Sequence, residues 1–265
     1  MQNSVTVQKE KYQQGGKPMT VSSSPIAVIT GVTGGFGQAF AKIFSEKGFE
    51  IIGISRHKPE KPIGRHIVTD LTDPTALPTL VEQINRLTDH VDVFILNAGV
   101  GLYDSWEKMN LDELRNLVEL NFFSPVALAR LLLPLLKKSK GTIITISSVA
   151  GFLPVPYMGA YCASKAALNA FSDTLRAEVA KDGVHLLNVL PGRINTGFSN
   201  RALGSMTPPE TPFAASPEKL ARATFRAFLR KKRQFVYPGW YRLLSGFRRT
   251  FPVLYDHLSI KKWKS

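Results

Sequence analysis

An uninterrupted apolar or β-branched run at residues 26–30 (IAVIT) leads straight into GVTGGFG, and that turn into a helical pattern carrying Phe40, Ile43 and Phe44 on one face and ending at Gly48. A buried strand needs the apolar run and an amphipathic helix needs the 3.6-residue period; glycines let one follow the other without a longer loop. The first N–H groups of such a helix, backed by the positive end of its dipole, form an anion site that a phosphate can approach closely over glycine. Glycines also serve turns for conformational reasons alone, but a strand before and a helix after favour a dinucleotide pyrophosphate. Gly31, Thr33, Gly35, Phe36 and Gly37 are therefore expected to line a cofactor.

The same alternation continues. Residues 51–54, 67–69, 91–96, 141–146, 184–190 and 235–237 read as further strands, and Leu77, Leu80, Val81, Ile84 and Leu87 mark a helical stripe. Residues 111–136 predict one long helix with Pro125 and Pro134 as kinks, and residues 159–181 and 217–229 predict two more. Strands alternating with helices specify an α/β fold: a single doubly wound parallel sheet flanked by helices on both faces. A chain of 265 residues suffices for one large domain, placed at 25–237, between a flexible polar leader (1–24) and a basic amphipathic extension (238–265).

The net charge of +14 suggests nucleic acid until it is located. Residues 25–229 carry 21 basic and 18 acidic groups, whereas residues 230–265 carry ten basic and one acidic. A nucleic-acid face would load the body, so none is expected there. In the extension, Trp240, Leu243, Leu244 and Phe247 form an apolar stripe that Phe251, Leu254 and Leu258 nearly continue, with Pro252 breaking the run. Cationic, aromatic and amphipathic segments lie on membrane surfaces, or the stripe packs on the protein's own cleft or on a second subunit; both readings stay open. The single cysteine, Cys162, excludes a disulfide framework, and His57, His66, His90, His185 and His257 lack ligand spacing, so no metal is expected. No apolar run is long enough to span a bilayer and the first 24 residues lack a signal-peptide core, which points to the cytoplasm, with peripheral membrane contact through residues 238–265 as the alternative.

The chemistry concentrates in residues 144–168. Tyr161 and Lys165, four apart in a helix-forming run, share one helix face. A phenol ionises near pH ~10, and an ammonium one turn away is expected to lower that value. Ser148 follows a buried strand that would deliver its hydroxyl to the sheet's carboxyl end, although adjacent Ser147 competes and strand alternation sends only one of them there. At the end of the second strand stand Ser55 and Arg56 with no acidic residue in 51–58, which favours NADP(H) over NAD(H), because a carboxylate would repel a 2′-phosphate that arginine binds.

Taken together, TGVTGGFG (30–37), DLTD (70–73), NAG (97–99), Asn121, Ser148, YCASK (161–165) and PGRINT (191–196) resemble the classical short-chain dehydrogenase/reductase family over residues 25–236. The resemblance implies a Rossmann-type fold and selects Ser148, 13 positions before Tyr161, as the serine. It implies that Tyr161 is the general acid or base, that Lys165 lowers its pKa and bonds the nicotinamide ribose, that Ser148 orients the substrate oxygen, and that Asn121 holds a relay water. Asp70 and Leu71 would meet the adenine, Asn97, Ala98 and Gly99 its ribose, and Pro191, Gly192, Ile194 and Thr196 the nicotinamide side. A homodimer or homotetramer through the helices at 111–136 and 159–181 is also implied. One departure is that Val32, Thr33 and Gly34 supply no second basic contact for a 2′-phosphate.

Apolar residues at 100–103, 152–158 and 198–213 favour a small lipophilic carbonyl or alcohol as substrate, with the Pro-rich segment 197–216 as a lid over it rather than a passive connection. Two function classes follow: an oxidoreductase, or a non-catalytic nucleotide-binding sensor or scaffold docking a membrane or partner through its tail. Ser148, Tyr161, Lys165 and Asn121 together favour the first.

Overall fold

The computed structural model describes residues 24–209 and 215–263, so the leader lies outside the described residues except for Ser24. Seven strands, β1 (Ile26–Thr30), β2 (Glu50–Ser55), β3 (Arg65–Val68), β4 (Val93–Leu96), β5 (Thr142–Ile146), β6 (His185–Pro191) and β7 (Gln234–Tyr237), form one sheet. Their order is β3-β2-β1-β4-β5-β6-β7, every neighbouring pair parallel. The order in which strands are added reverses between β1 and β4, where open α/β sheets leave a crevice at the strands' carboxyl ends.

Both faces of the sheet are covered, as continuous apolar strands require. On one face Val28, Ile52, Phe94 and Ile143 meet α2 (Ala76–Leu87), α4 (Ser124–Ser139) and α5 (Gly159–Val179) through Leu80, Ile84, Leu128, Leu132 and Val179. On the other, Ile29, Ile95 and Val189 meet Phe40 and Phe44 of α1 (Gly35–Glu46) and Phe225 and Phe228 of α6 (Pro217–Leu229). Phe44 and Phe225 pack edge to face at 5.0 Å between centroids. Such a fully buried ring contributes roughly 3–5 kcal/mol against truncation to alanine.

The helix predicted over 111–136 is divided. α3 (Leu111–Val118) runs into a π-helical turn, Glu119–Phe123, and then into α4. The irregularity therefore comes from an extra residue in one turn, not from a proline. Pro125 lies in the first turn of α4, where a missing N–H costs nothing, and Pro134 is accommodated inside the helix. The combined run Leu111–Ser139 is, by length and composition, apolar enough to cross a bilayer, which corrects the expectation that no segment is. Its Leu117, Leu128, Leu132 and Leu136 are buried in the protein's core.

The extension forms α7 (Tyr241–Thr250) and α8 (Pro252–Lys261), separated at Phe251 as Pro252 requires. They fold back on the domain: Tyr241, Leu244 and Phe247 pack against Val149, Leu153, Leu190, Val236 and Tyr255. The expected stripe is out of phase with this face, since Trp240 and Leu243 remain 52% and 79% exposed. Packing against the chain's own cleft decided which residues turn inward.

Candidate active site

At the carboxyl ends of β1 and β4 the backbone is tied by two side chains. Thr30 Oγ1 accepts hydrogen bonds from Asn97 N (2.9 Å) and Ala98 N (3.0 Å), and Asn97 Nδ2 donates to the carbonyls of Thr30 (2.8 Å) and Gly31 (3.2 Å). Gly31 takes φ +73°, a conformation costly for any other residue, and its N–H donates to Ile54 O at 2.7 Å. A methyl on Gly37 would lie 2.1 Å from Gly31 O, so α1 starts directly on the turn. No side chain among the described residues caps α1, leaving its first N–H groups open.

A cavity of about 1330 Å³ runs from this turn across the strand ends. Every residue predicted for the site borders it except Gly37, which packs on the turn, and Asn121, which is fully buried. Asn97 Oδ1 is a buried acceptor without a partner among the described residues, beside the glycine cradle and an uncapped helix start. That combination fits a dinucleotide, whose ribose hydroxyls donate and whose pyrophosphate needs N–H groups.

The neighbouring nucleotide-side residues divide their roles. Ser55 is committed to the fold: its hydroxyl donates to His57 O (2.8 Å) and lies 2.9 Å from His66 Nε2. Burial, and then the charge of Lys58, lower the pKa of His66, a residue the sequence did not single out. Arg56 is exposed on the cavity wall with no side-chain partner among the described residues. Asp70 Oδ1 accepts from Thr72 N and Oγ1 at 2.9 and 2.8 Å, shaping the turn, while Leu71 buries its side chain in the core and its carbonyl accepts from Ser124 Oγ.

The other half of the cavity assembles Ser148, Tyr161 and Lys165, which are 8%, 8% and 4% exposed. Ser148 caps a 3₁₀ turn, accepting from Ala150 N at 3.1 Å and donating to Pro191 O at 3.4 Å, a long bond that leaves the hydroxyl free to turn. Ser147 is spent elsewhere: its hydroxyl donates to Lys165 O at 3.1 Å. Lys165 Nζ donates to Ile146 O at 3.0 Å and sits 5.8 Å from the Tyr161 ring centroid. Burial without a carboxylate lowers its pKa to about 8. Burial likewise pushes the Tyr161 phenol above its ordinary value, opposed by the Ser148 hydroxyl. The expected lowering by a neighbouring ammonium is thus overridden, because loss of water penalises phenolate more than the available partners stabilise it.

Asn121, at the π turn, donates through Nδ2 to Val100 O (2.9 Å) and Ser164 Oγ (3.2 Å) and accepts from Val100 N (2.9 Å). Its side chain ties the loop after β4 to α5. A methyl on Gly99 would lie 3.0 Å from Asn121 Oδ1 and 3.5 Å from Lys165 Nζ, so the two residues border one small space.

A family model for short-chain dehydrogenases matches residues 25–204, a span that contains every residue expected in the site. The chain belongs to the short-chain dehydrogenase/reductase family. This dehydrogenase is 37% identical over 195 residues to a 3-ketodihydrosphingosine reductase of Bacteroides thetaiotaomicron, covering 72% of each chain. It is 31% identical over 260 residues to dehydrogenase/reductase SDR family member 7B of Xenopus laevis, covering 87% of this chain and 79% of that one. Among solved structures, a short-chain dehydrogenase from Sphingobium yanoikuyae in complex with NADPH superposes with TM-score 0.73 at 26% identity, over 86% of this chain and 95% of that one. The protein is an oxidoreductase of this family.

Beyond the matched span, the dehydrogenase builds part of its cavity from its tail. A methyl on Gly192 would lie 2.0 Å from the Tyr241 ring, so α7 lies directly on the segment after β6. Trp263 closes the far side, its ring 6.2 Å from that of Tyr103 and 5.3 Å from that of Tyr157. The segment after Thr196 is fastened as well: Leu203 N donates to Gly101 O (2.8 Å) and Tyr103 N to Leu203 O (3.0 Å). Tyr241, Trp263, Arg193 and Arg201 were not named as site residues; Arg193 lies inside the PGRINT motif and Arg201 inside the expected lid segment 197–216, whereas Tyr241 and Trp263 reach the cavity through tertiary packing alone.

Proposed function

We propose that this dehydrogenase uses NADP(H) to interconvert a lipophilic carbonyl compound and its alcohol, with Ser148, Tyr161, Lys165 and Asn121 as its reaction machinery. One observation carries the reading: a buried phenol beside a serine hydroxyl and a lysine ammonium, at the foot of a large cavity walled by Leu153, Phe198, Leu244 and Phe247. The bound nicotinamide supplies or accepts the hydride. Ser148 turns from Pro191 O and donates to the substrate oxygen as negative charge grows there. Tyr161, held neutral by burial, delivers its proton to that oxygen, which suits carbonyl reduction. Lys165 then faces the phenolate left behind and stabilises it. The Asn121 side chain is occupied by Val100 and Ser164, which leaves its main chain to hold any relay water.

Arg56, exposed at the end of β2 with no side-chain partner among the described residues, supports the preference for NADP(H) over NAD(H). A relative named for a ketodihydrosphingosine and an apolar cavity both support a long-chain ketone or alcohol. The outer face of α7 and α8 exposes Leu243, Phe251, Val253 and Leu254 among Arg242, Arg249 and Lys261, which supports peripheral contact with an anionic membrane. Exposed Leu111 in α3 and Phe123 in the π turn support a homodimer or homotetramer through the helices at 111–136 and 159–181. The mechanism is tested by Tyr161→Phe: NADPH-dependent reduction of a lipophilic ketone falls by at least roughly a hundredfold, the usual contribution of a general acid, while NADPH still binds. Undiminished turnover refutes it.

A further inference from the structure

The Gly-rich turn carries no cation of its own, since residues 31–37 include neither lysine nor arginine. One arrives from elsewhere in the chain. Arg201 ends the short turn Ser199–Arg201 and lays its guanidinium over Gly34: a methyl built on Gly34 would lie 3.4 Å from Nη2 and 3.7 Å from Nη1. One residue further on, a methyl on Gly35 would lie 3.2 Å from Thr196 Cβ and 3.3 Å from Thr196 O. Two successive glycines of the phosphate turn thus receive two points of the segment after β6, the backbone at Thr196 and the charge at Arg201.

No described residue neutralises that charge. Arg201 makes no ion pair and no side-chain hydrogen bond with any described residue, and it borders the cavity. Gly34 is the N-cap of α1 and offers no side chain to the helix's open N–H groups. A guanidinium beside the positive end of a twelve-residue helix is electrostatically unfavourable until an anion lies between them. Planar guanidinium donors match phosphate oxygens in pairs, and the pyrophosphate seat in this fold is the N-terminus of this helix.

We propose that Arg201 is a ligand of the cofactor's pyrophosphate, supplying from the far side of the cavity the cation that the Gly-rich turn lacks. The assignment rests on the dinucleotide reading of the site. It separates the two arginines by the phosphates they hold: Arg201 takes the pyrophosphate common to NADPH and NADH, and Arg56 takes the 2′-phosphate found only in NADPH. Arg201 also joins the segment that walls the substrate side to the cofactor itself.

The test is a fluorescence titration of the full-length protein with NADPH and with NADH, for wild type, Arg201→Ala, Arg201→Lys and Arg56→Ala, at low and high salt. Loss of a charge-assisted hydrogen bond at an exposed site predicts that Arg201→Ala weakens both cofactors equally, by roughly three- to tenfold, and flattens the salt dependence of both. Arg201→Lys keeps the charge without the paired donors and falls between. Arg56→Ala weakens NADPH alone. Because the Arg201 side chain is exposed and bonded to no described residue, its variants keep the melting temperature of the cofactor-free protein. An effect of Arg201→Ala on NADPH alone would reassign it to the 2′-phosphate and overturn the proposal, as would no effect on either cofactor. Failure of the wild type to bind either dinucleotide sinks the underlying reading, and the proposal with it.

Discussion

Replacing Lys165 by methionine is expected to stabilise the cofactor-free protein at neutral pH while abolishing turnover. Lys165 is 4% exposed, faces no carboxylate within its site, and has its pKa lowered by burial to about 8 from 10.5. Below pH ~8 both folded and unfolded chains bind the proton, and the desolvation penalty of the buried ammonium is present in full. Between about 8 and 10.5 the unfolded chain holds a proton that the folded one has released, so stability rises with pH. Above that window both states are neutral and the penalty is gone. The difference of 2.5 units corresponds to about 3 kcal/mol. Methionine fills a similar volume but leaves Ile146 O without its 3.0 Å donor, which returns roughly 1 kcal/mol or more. The net gain is on the order of 2 kcal/mol, or roughly 4–8 °C in melting temperature for a domain of this size. Thermal melts of wild type and Lys165→Met from pH 7 to 10.5 measure it. The variant's advantage should shrink across pH 8 to 10.5, because only the wild type carries that titration. A variant less stable at pH 7, or an advantage constant with pH, would refute the premise that Lys165 is a buried, uncompensated cation whose place is explained by reaction and not by stability.

Two other perturbations probe the tail from its two sides. Gly192→Ala drives a methyl into the Tyr241 ring, and overpacking should cost roughly 1–3 kcal/mol and raise KM for lipophilic substrates; in a Tyr241→Ala background most of that cost disappears, and strict additivity in denaturation would show that the contact is not what separates them. Leu243→Asp with Val253→Asp alters residues 79% and 81% exposed, so the fold and turnover of water-soluble substrates should persist while cosedimentation with anionic liposomes is lost; unchanged cosedimentation removes the membrane contact.

Much of the molecule was legible in the chain because the signals are local. A strand buried on both faces must be apolar throughout and a packed helix must repeat every 3.6 residues, so the seven strands and the doubly wound sheet followed from periodicity. The spacing of Tyr161 and Lys165 put both on one face of α5, and the turn at Gly31 to Gly37 declared its use of close backbone approach. Tertiary structure decided what depends on neighbours distant in sequence. Burial summed over several elements raised the Tyr161 phenol where one neighbouring charge predicted the reverse. The π turn carries Asn121, whose side chain bonds the loop at Val100, 21 positions away. The tail turned Tyr241, Leu244 and Phe247 inward and left Trp240 and Leu243 in solvent, since an amphipathic stripe shows that some face is buried but not which surface buries it. Arg201, 167 residues from Gly34 along the chain, meets it only because the segment after β6 folds across the end of β1.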